Sequence, residues 1–446
     1  MYVNRSALER AWPKKAAGAA ARLGRDRATR RDVALGVLLQ AKVARGLGTA
    51  SAASIASTLE ALSRQVTPDA ARTQLGEGFV VTASLHPAAP PVELRVEAHG
   101  DVTASAETST VGPGYHQWVC EWLTEVGETL GANWEAVGED EGDATGWFTT
   151  HDRPRLEAAF LAWLADTARL LVERVGAGVT GLGVSLPVSD VQFLAPGFTL
   201  TPVGPRDEGW WRQAATDAAS GVDLFPWWSA GRGAHEQLGR ARSLMWTKVA
   251  WRAPLTPREQ RVHDEVLALL AAGHLREPGL DWPWREWLEL LALTSTPPSA
   301  ALLQTVRAHA GQAHGPLLGY LRHDVRVTLA GGWSVRVPGA FARALEPDGV
   351  TVRLGDGART VFVMTGGTDP ELKQAPLPKG TGERLRRTEK KLDSAALVTP
   401  QAQGWQLISN SVVPGELAVV TVQCPEADRE WALQTWRSIA HPGWRR

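Results

Sequence analysis

The side chains whose types and spacing most invite chemistry lie in the acidic run from Glu139 to Asp152. Numbered as a calcium loop, Glu141, Asp143 and Thr145 fall at positions one, three and five, Gly146 at six and Asp152 at twelve. Such a loop needs Asp first, Asp or Asn fifth and a bidentate Glu twelfth, so this ligand set departs at three places. The same residues spell D-x-D-x-T with Glu141 in place of the nucleophilic Asp, and no apolar strand precedes them. His151 and Asp152 offer a base and an orienter, but adjacent residues need a nucleophile from elsewhere. The run therefore reads as a solvated loop. A metal-dependent hydrolase or nuclease that uses its acids with His116 or His151 is the alternative.

Other constellations fall short for stated reasons. Gly176, Gly178 and Gly181 match G-x-G-x-x-G, but they follow a helix and open a strand, the reverse of a dinucleotide site. No phosphate loop of the G-x-x-x-x-G-K-[ST] type is present, and Ser185 lacks the second glycine of a nucleophile elbow. His263, His274, His309 and His314 are wrongly spaced for a helical metal pair and read as surface histidines; His116 reads as a partly exposed residue near a helix start. No catalytic residue, metal site or cofactor is expected. The one dense basic segment, Lys379, Arg384, Arg386, Arg387, Lys390 and Lys391, reads as an exposed helix and as the candidate docking or anion-binding site.

The chain of 446 residues is long enough for about three domains, 44% apolar and 21% charged, with a net charge of −1. That balance gives no global attraction to nucleic acid or to an anionic membrane. Cys120 and Cys424 sit within apolar runs and read as buried free thiols. Neither a signal peptide nor a membrane-spanning run is visible, so a cytoplasmic protein is expected. Twenty Trp against 8 Phe and 3 Tyr reads as a coding bias rather than as a set of aromatic cages.

The expected fold class is α+β and multidomain. Residues 1–69 read as a helical lead-in, with Val37 and Leu38 on one helix and Ile55, Leu59 and Leu62 on the next. Residues 70–205 read as an α+β domain: an antiparallel meander over 78–110 covered by a helix at Tyr115–Leu130, then a helix at Pro154–Val175. Residues 206–322 read as a Trp-rich helical domain with helices near Glu208–Ala219, His235–Val249, Pro257–Ala272, Trp284–Leu293 and Ala300–Ala310. Residues 323–446 read as five or six antiparallel strands closed by a helix. In that helix Asp428 is the N-cap and Ala432, Leu433, Trp436 and Ile439 are the buried stripe.

The stretches Gly332–Pro338, Gly404–Leu407 and Glu430–Leu433, with the strand order around them, resemble the PsbP-like α/β sandwich. Relatives of that fold include bacterial type VI effector chaperones. The resemblance covers the last quarter of the chain and implies a macromolecule-binding module without an active site. The N-terminal helices resemble half of a Clp-type N-terminal repeat. The expected function is a non-enzymatic interaction protein: an adaptor, chaperone or immunity-type component of a bacterial multi-protein system. Its expected partner is another protein, with nucleic acid second and no membrane.

Overall fold

A computed structural model describes residues 34–43, 51–138, 142–176, 182–184, 186, 191–294 and 298–442. The expected helix before residue 34, most of the G-x-G-x-x-G stretch, Ser185 and Glu139–Glu141 lie outside the described residues. The class is α+β, with several antiparallel sheets and helices. Among the described residues no helix is long and apolar enough to cross a membrane. The chain divides into two compact units, residues 1–185 with 206–231, and residues 186–205 with 232–446.

In the first unit β1 (Gly36–Val43), β2 (Ala71–Leu75), β3 (Gly78–Ala83), β4 (Val92–Val96), β5 (Asp101–Glu107) and β6 (Ala132–Ala136) form one sheet in the order β2-β3-β4-β5-β1-β6. Its core row runs Val81, Leu94, Ala104, Leu39 across four strands, in register and without exposed surface. Strand alternation puts these residues on one face. Helices α1 (Ala52–Val66) and α2 (Pro113–Leu130) pack against the sheet and each other. The α2 stripe buries Tyr115, Val119, Trp122, Leu123 and Val126 as its spacing predicts.

The helical lead-in is corrected at 36–43. These residues form the strand β1, inserted between β5 and β6. Leu, Gln, Ala and Lys favour helix when isolated, but two waiting strand edges outweigh that preference. A short helix α3 (Trp147–Thr150) leads into α4 (Arg153–Gly176), and α5 (Glu208–Thr216) stacks on α4. That packing gathers Leu164, Trp211 and Ala214 into this unit.

The second unit holds a helical bundle and the C-terminal sheets. Helices α6 (Ala234–Thr247), α7 (Pro257–Arg276), α8 (Trp284–Leu293) and α9 (Ala300–Ala310) close on Leu244, Val266, Leu270, Trp282, Trp287 and Val306. Pro257 at the first position and Thr256, accepting the Glu259 N–H at 3.2 Å, start α7 where the sequence predicts. Strands β7 (Val191–Phe193), β8 (Asp324–Thr328) and β9 (Ser334–Pro338) make a small sheet.

Strands β10 (Ala342–Leu345), β11 (Val352–Gly355), β12 (Thr360–Gly367), β13 (Glu383–Glu389), β14 (Leu392–Gln401), β15 (Gly404–Val413) and β16 (Glu416–Cys424) form a seven-stranded antiparallel sheet. Its order is β10-β11-β12-β16-β15-β14-β13. Helix α10 (Arg429–Arg437) packs on one face and buries Ala432, Leu433 and Trp436, with Ile439 just beyond its end. The nine strands over 324–424 exceed the five or six expected. Of these, β10, β13 and β14 carry weak patterns, and pairing with neighbours specifies them.

Candidate functional site

The densest cluster of chemically capable side chains lies inside the first unit, at the start of α2. Strand β5 ends at Glu107, the chain turns through Thr108 and Gly112, and Pro113 opens the helix, which places His116 in the first turn. From the other side comes the loop between β6 and α3. Its Gly142 carbonyl accepts the Leu38 N–H of β1 at 2.7 Å. Gly146, at φ 71°, makes the tight bend before α3. The Asp143 carboxylate accepts the Phe148 N–H, in the first turn of α3, at 2.8 Å and the Thr145 N–H at 2.9 Å.

These pieces make a polar chain. The Thr145 hydroxyl donates to Asp143 Oδ1 at 2.6 Å, so its oxygen is left to accept from His116 Nε2 at 3.1 Å. On the far side of the ring, Thr108 Oγ1 lies 2.8 Å from Nδ1 and 3.3 Å from the Leu35 carbonyl. A neutral ring accepts from the Thr108 hydroxyl; a charged ring donates to it and turns that hydroxyl toward Leu35. Burial is the largest influence on Asp143 and would raise its pKa. The hydrogen bond and charge of His116, the Phe148 N–H and the Thr145 hydroxyl together outweigh burial and lower the pKa from 3.8 to about 2.

A base, an orienter and two hydroxyls thus meet, but they meet behind packed walls. His116 has no exposed surface, Phe160 lies edge-on to its ring at 6.0 Å, and Thr108 and Thr145 are buried. No reacting atom can reach them, and the chain of bonds ties β5, α2 and the 142–146 loop together. His116 is therefore not the partly exposed residue expected. The fold needs a hydrogen-bonded partner for a carboxylate drawn inward by β1, and the ring supplies it.

The rest of the acidic run disperses. Asp152 is exposed and accepts the Arg155 N–H at 3.2 Å as the cap of α4, and His151 stands exposed against the Trp147 ring. Among the described residues no three His, Cys, Asp or Glu side chains gather as metal ligands. Cys120 and Cys424 are buried free thiols, and burial pushes both upward in pKa. The histidines of the second unit are not uniformly surface groups. His263 is 1% exposed, and His274 sits edge-on to Trp282, Trp284 and Trp287. Only His309 is exposed among these three, stacked on Trp284 at 4.3 Å.

The basic segment is a strand, not the exposed helix expected. Residues 383–389 form β13, the edge of the seven-stranded sheet, and charged side chains are a common protection of such edges. Alternation sends its arginines to opposite faces. Arg387 points to the helix-covered face, where it donates to the carbonyls of Arg437 and Ile439, each at 2.6 Å, beyond the end of α10. Arg386 points to the other face and donates to Asp393 at 2.7 Å and to the Ala375 carbonyl at 3.0 Å. Arg384 shares that outer face and is exposed, as are Lys379, Lys390 and Lys391. The six cations do not converge on one point.

The outer face of the same sheet has a feature that its sequence pattern hid. A cross-strand row runs Arg353, Phe362, Thr421, Ile408, Leu397, Arg384. The next row contains Met364, Val419, Asn410 and Ala395. A strap, residues 368–382, covers one side of this face, packing Leu372, Ala375 and Leu377 against Ala395, Val412 and Leu417. Phe362, Val419 and Ile408 are half-buried, and Met364 is 43% exposed. Since β12 and β16 alternate apolar on both faces, the sequence pattern alone could not say which face meets the helix. Compared with models of protein families and with curated proteins, the chain gives no match.

Proposed function

We propose that this chain is a protein-binding module without a reaction of its own, an adaptor- or chaperone-like component of a cytoplasmic multi-protein system. The observation that carries the reading is the outer face of the seven-stranded sheet. Phe362, Met364, Ile408 and Val419 sit there together and half open, where a folded sheet face is usually either covered or polar. The resemblance of the last quarter to PsbP-like sandwiches supports the same reading, because those proteins mostly bind other macromolecules. The hydrolase alternative requires carboxylates gathered at an opening, whereas Asp143 turns inward to His116.

A photo-crosslinking amino acid placed at Met364 in the full chain, in cells, tests this. One protein should be trapped in stoichiometric amount from Met364 and not from Leu275, a control position 85% exposed on the helical bundle. Equal trapping from both positions, or none, would overturn the reading. A purified chain that carries a divalent metal and melts earlier in EDTA would favour the hydrolase.

A further inference from the structure

Independently of that reading, we infer that the outward face of the small sheet formed by β7, β8 and β9 binds a single phosphate group between Arg326 and Arg336. Val325, Val327, Val335 and Val337 of β8 and β9 point into the core, so strand alternation turns Arg326 and Arg336 to the opposite face. These two arginines stand directly opposite each other in register, and Gln192 of β7 stands opposite Arg326 on its other side. Gln192 and Arg336 are exposed and Arg326 is half-buried, so the row opens to solvent. Opposed residues of an antiparallel pair have Cα atoms about 5 Å apart. Like charges at that spacing weaken the pairing they sit on unless an anion offsets them.

The chain's own carboxylates supply only part of that anion. Asp324 is the one acid that these three strands place on this face, and its Oδ2 accepts from Arg336 Nε at 2.7 Å. No hydrogen bond or ion pair engages Arg326 among the described residues, although its Nε is shielded from solvent. A shielded guanidinium N–H without an acceptor forfeits a charge-assisted hydrogen bond and calls for a partner from outside the chain. With a second cation directly opposite, that partner is an anion, because a neutral acceptor would leave the repulsion in place.

The donor set selects the class of anion. Arg326 brings a whole guanidinium fork and Arg336 its two terminal nitrogens, with the Gln192 amide in the same row. The Thr328 and Ser334 hydroxyls form the next row of this face. A carboxylate has two oxygens and one charge, and Asp324 engages a single arginine with them. A phosphate group has three free oxygens and close to two charges, enough to take both guanidiniums at once. A long polyanion fits less well, because the chain carries a net charge of −1 and the sheet is three strands wide. The phosphate can be free in solution or carried on a side chain of a partner protein, and the test separates these sources.

The test titrates the full chain, in chloride buffer of constant ionic strength, with inorganic phosphate and with a phosphoserine peptide, the unphosphorylated peptide serving as control. One phosphate source or both should bind in calorimetry and raise the melting temperature. Arg326→Gln should weaken that binding about tenfold, and in chloride alone it should melt no lower than the parent, because a like-charge contact is gone. Arg326→Lys should keep only part of the affinity, since an ammonium lacks the fork. Arg384→Gln, an equal loss of charge on the larger sheet, should bind as the parent does. A phosphopeptide that binds about tenfold tighter than inorganic phosphate supports a modified partner as the source, and equal affinity supports the free ion. The inference is overturned if neither ligand binds, or if Arg326→Gln and Arg384→Gln weaken binding equally, which would show charge without a site. Duplex DNA that binds more tightly than either ligand, and loses affinity equally in both variants, would overturn it in favour of a polyanion surface.

Discussion

His116 Nε2 and Asp143 Oδ1 lie 3.4 Å apart with the Thr145 hydroxyl bonded to both, and the histidine has no exposed surface. Two ionisable groups that would make a catalytic pair at a surface serve here as a joint between β5, α2 and the 142–146 loop. Removing one partner of a buried pair strands the other, so Asp143→Asn should cost about 3 kcal/mol in calorimetric unfolding. The folded carboxyl pKa, about 2, lies below its ordinary 3.8, so its contribution is complete above that ordinary value. It is lost as pH falls from 3.8 through about 2, and the shift is worth about 2 kcal/mol. The variant should show correspondingly less acid-dependent loss across that window.

His263 should act in a higher pH range. It is 1% exposed, neither ring nitrogen meets a hydrogen-bond partner, and burial lowers its pKa from 6.5. The folded bundle therefore favours the neutral ring, while the unfolded chain takes up a proton below 6.5. Stability must then fall as pH drops below 6.5, the reverse of a histidine that gains an acidic partner. His263→Phe should flatten the melting temperature between pH 7 and 5 and, by removing unpaired polar atoms, raise stability at pH 7 by about 1 kcal/mol. An unaltered pH profile would refute this.

Arg387 and Arg384 are three residues apart on one edge strand and should behave differently. Arg387→Ala removes two donors from the Arg437 and Ile439 carbonyls and should destabilise by about 2 kcal/mol. Arg387→Lys should rescue little, because one ammonium cannot span both carbonyls as the guanidinium fork does. Arg384→Ala should fall within about 0.5 kcal/mol of the parent in chemical denaturation.

Gly114 is fixed by a close approach rather than by its backbone angle. A methyl there would stand 2.1 Å from the Ser229 carbonyl oxygen and 2.4 Å from Trp227 Cδ1. The segment through Trp227 is also bonded to this turn by its backbone, Trp227 N–H to Val111 at 3.0 Å and Gly114 N–H to Trp227 at 3.2 Å. Gly114→Ala should therefore cost about 3 kcal/mol or prevent folding, whereas Gly131→Ala, at a helix end with open space, should cost about 1 kcal/mol, for its positive φ of 61°.

Long periodic segments were legible without coordinates. The α2 stripe, the α7 start at Thr256 and Pro257, the α10 stripe and the β3–β5 meander follow from local spacing and capping, which act between residues close in the chain. Where local preference and tertiary pairing disagree, the pairing decided. Gly36–Val43 has helix-favouring residues yet forms β1, because β5 and β6 present edges more than fifty residues away. Glu383–Glu389 looks like a solvated helix face yet forms β13, because β14 supplies its hydrogen bonds.

The candidate sites divide in the same way. Sequence alone determined the alternating strands, the amphipathic helices, the two buried thiols and the inventory of acids, bases and cations. Only the tertiary structure decided that His116 and Asp143 meet inside the core. It likewise sent Arg387 and Arg386 to opposite faces of one strand, and left Phe362, Met364, Ile408 and Val419 open together. The physical reason is that a side chain's type is local, whereas its neighbours and its burial depend on which distant strand lies beside it and which face that strand turns outward.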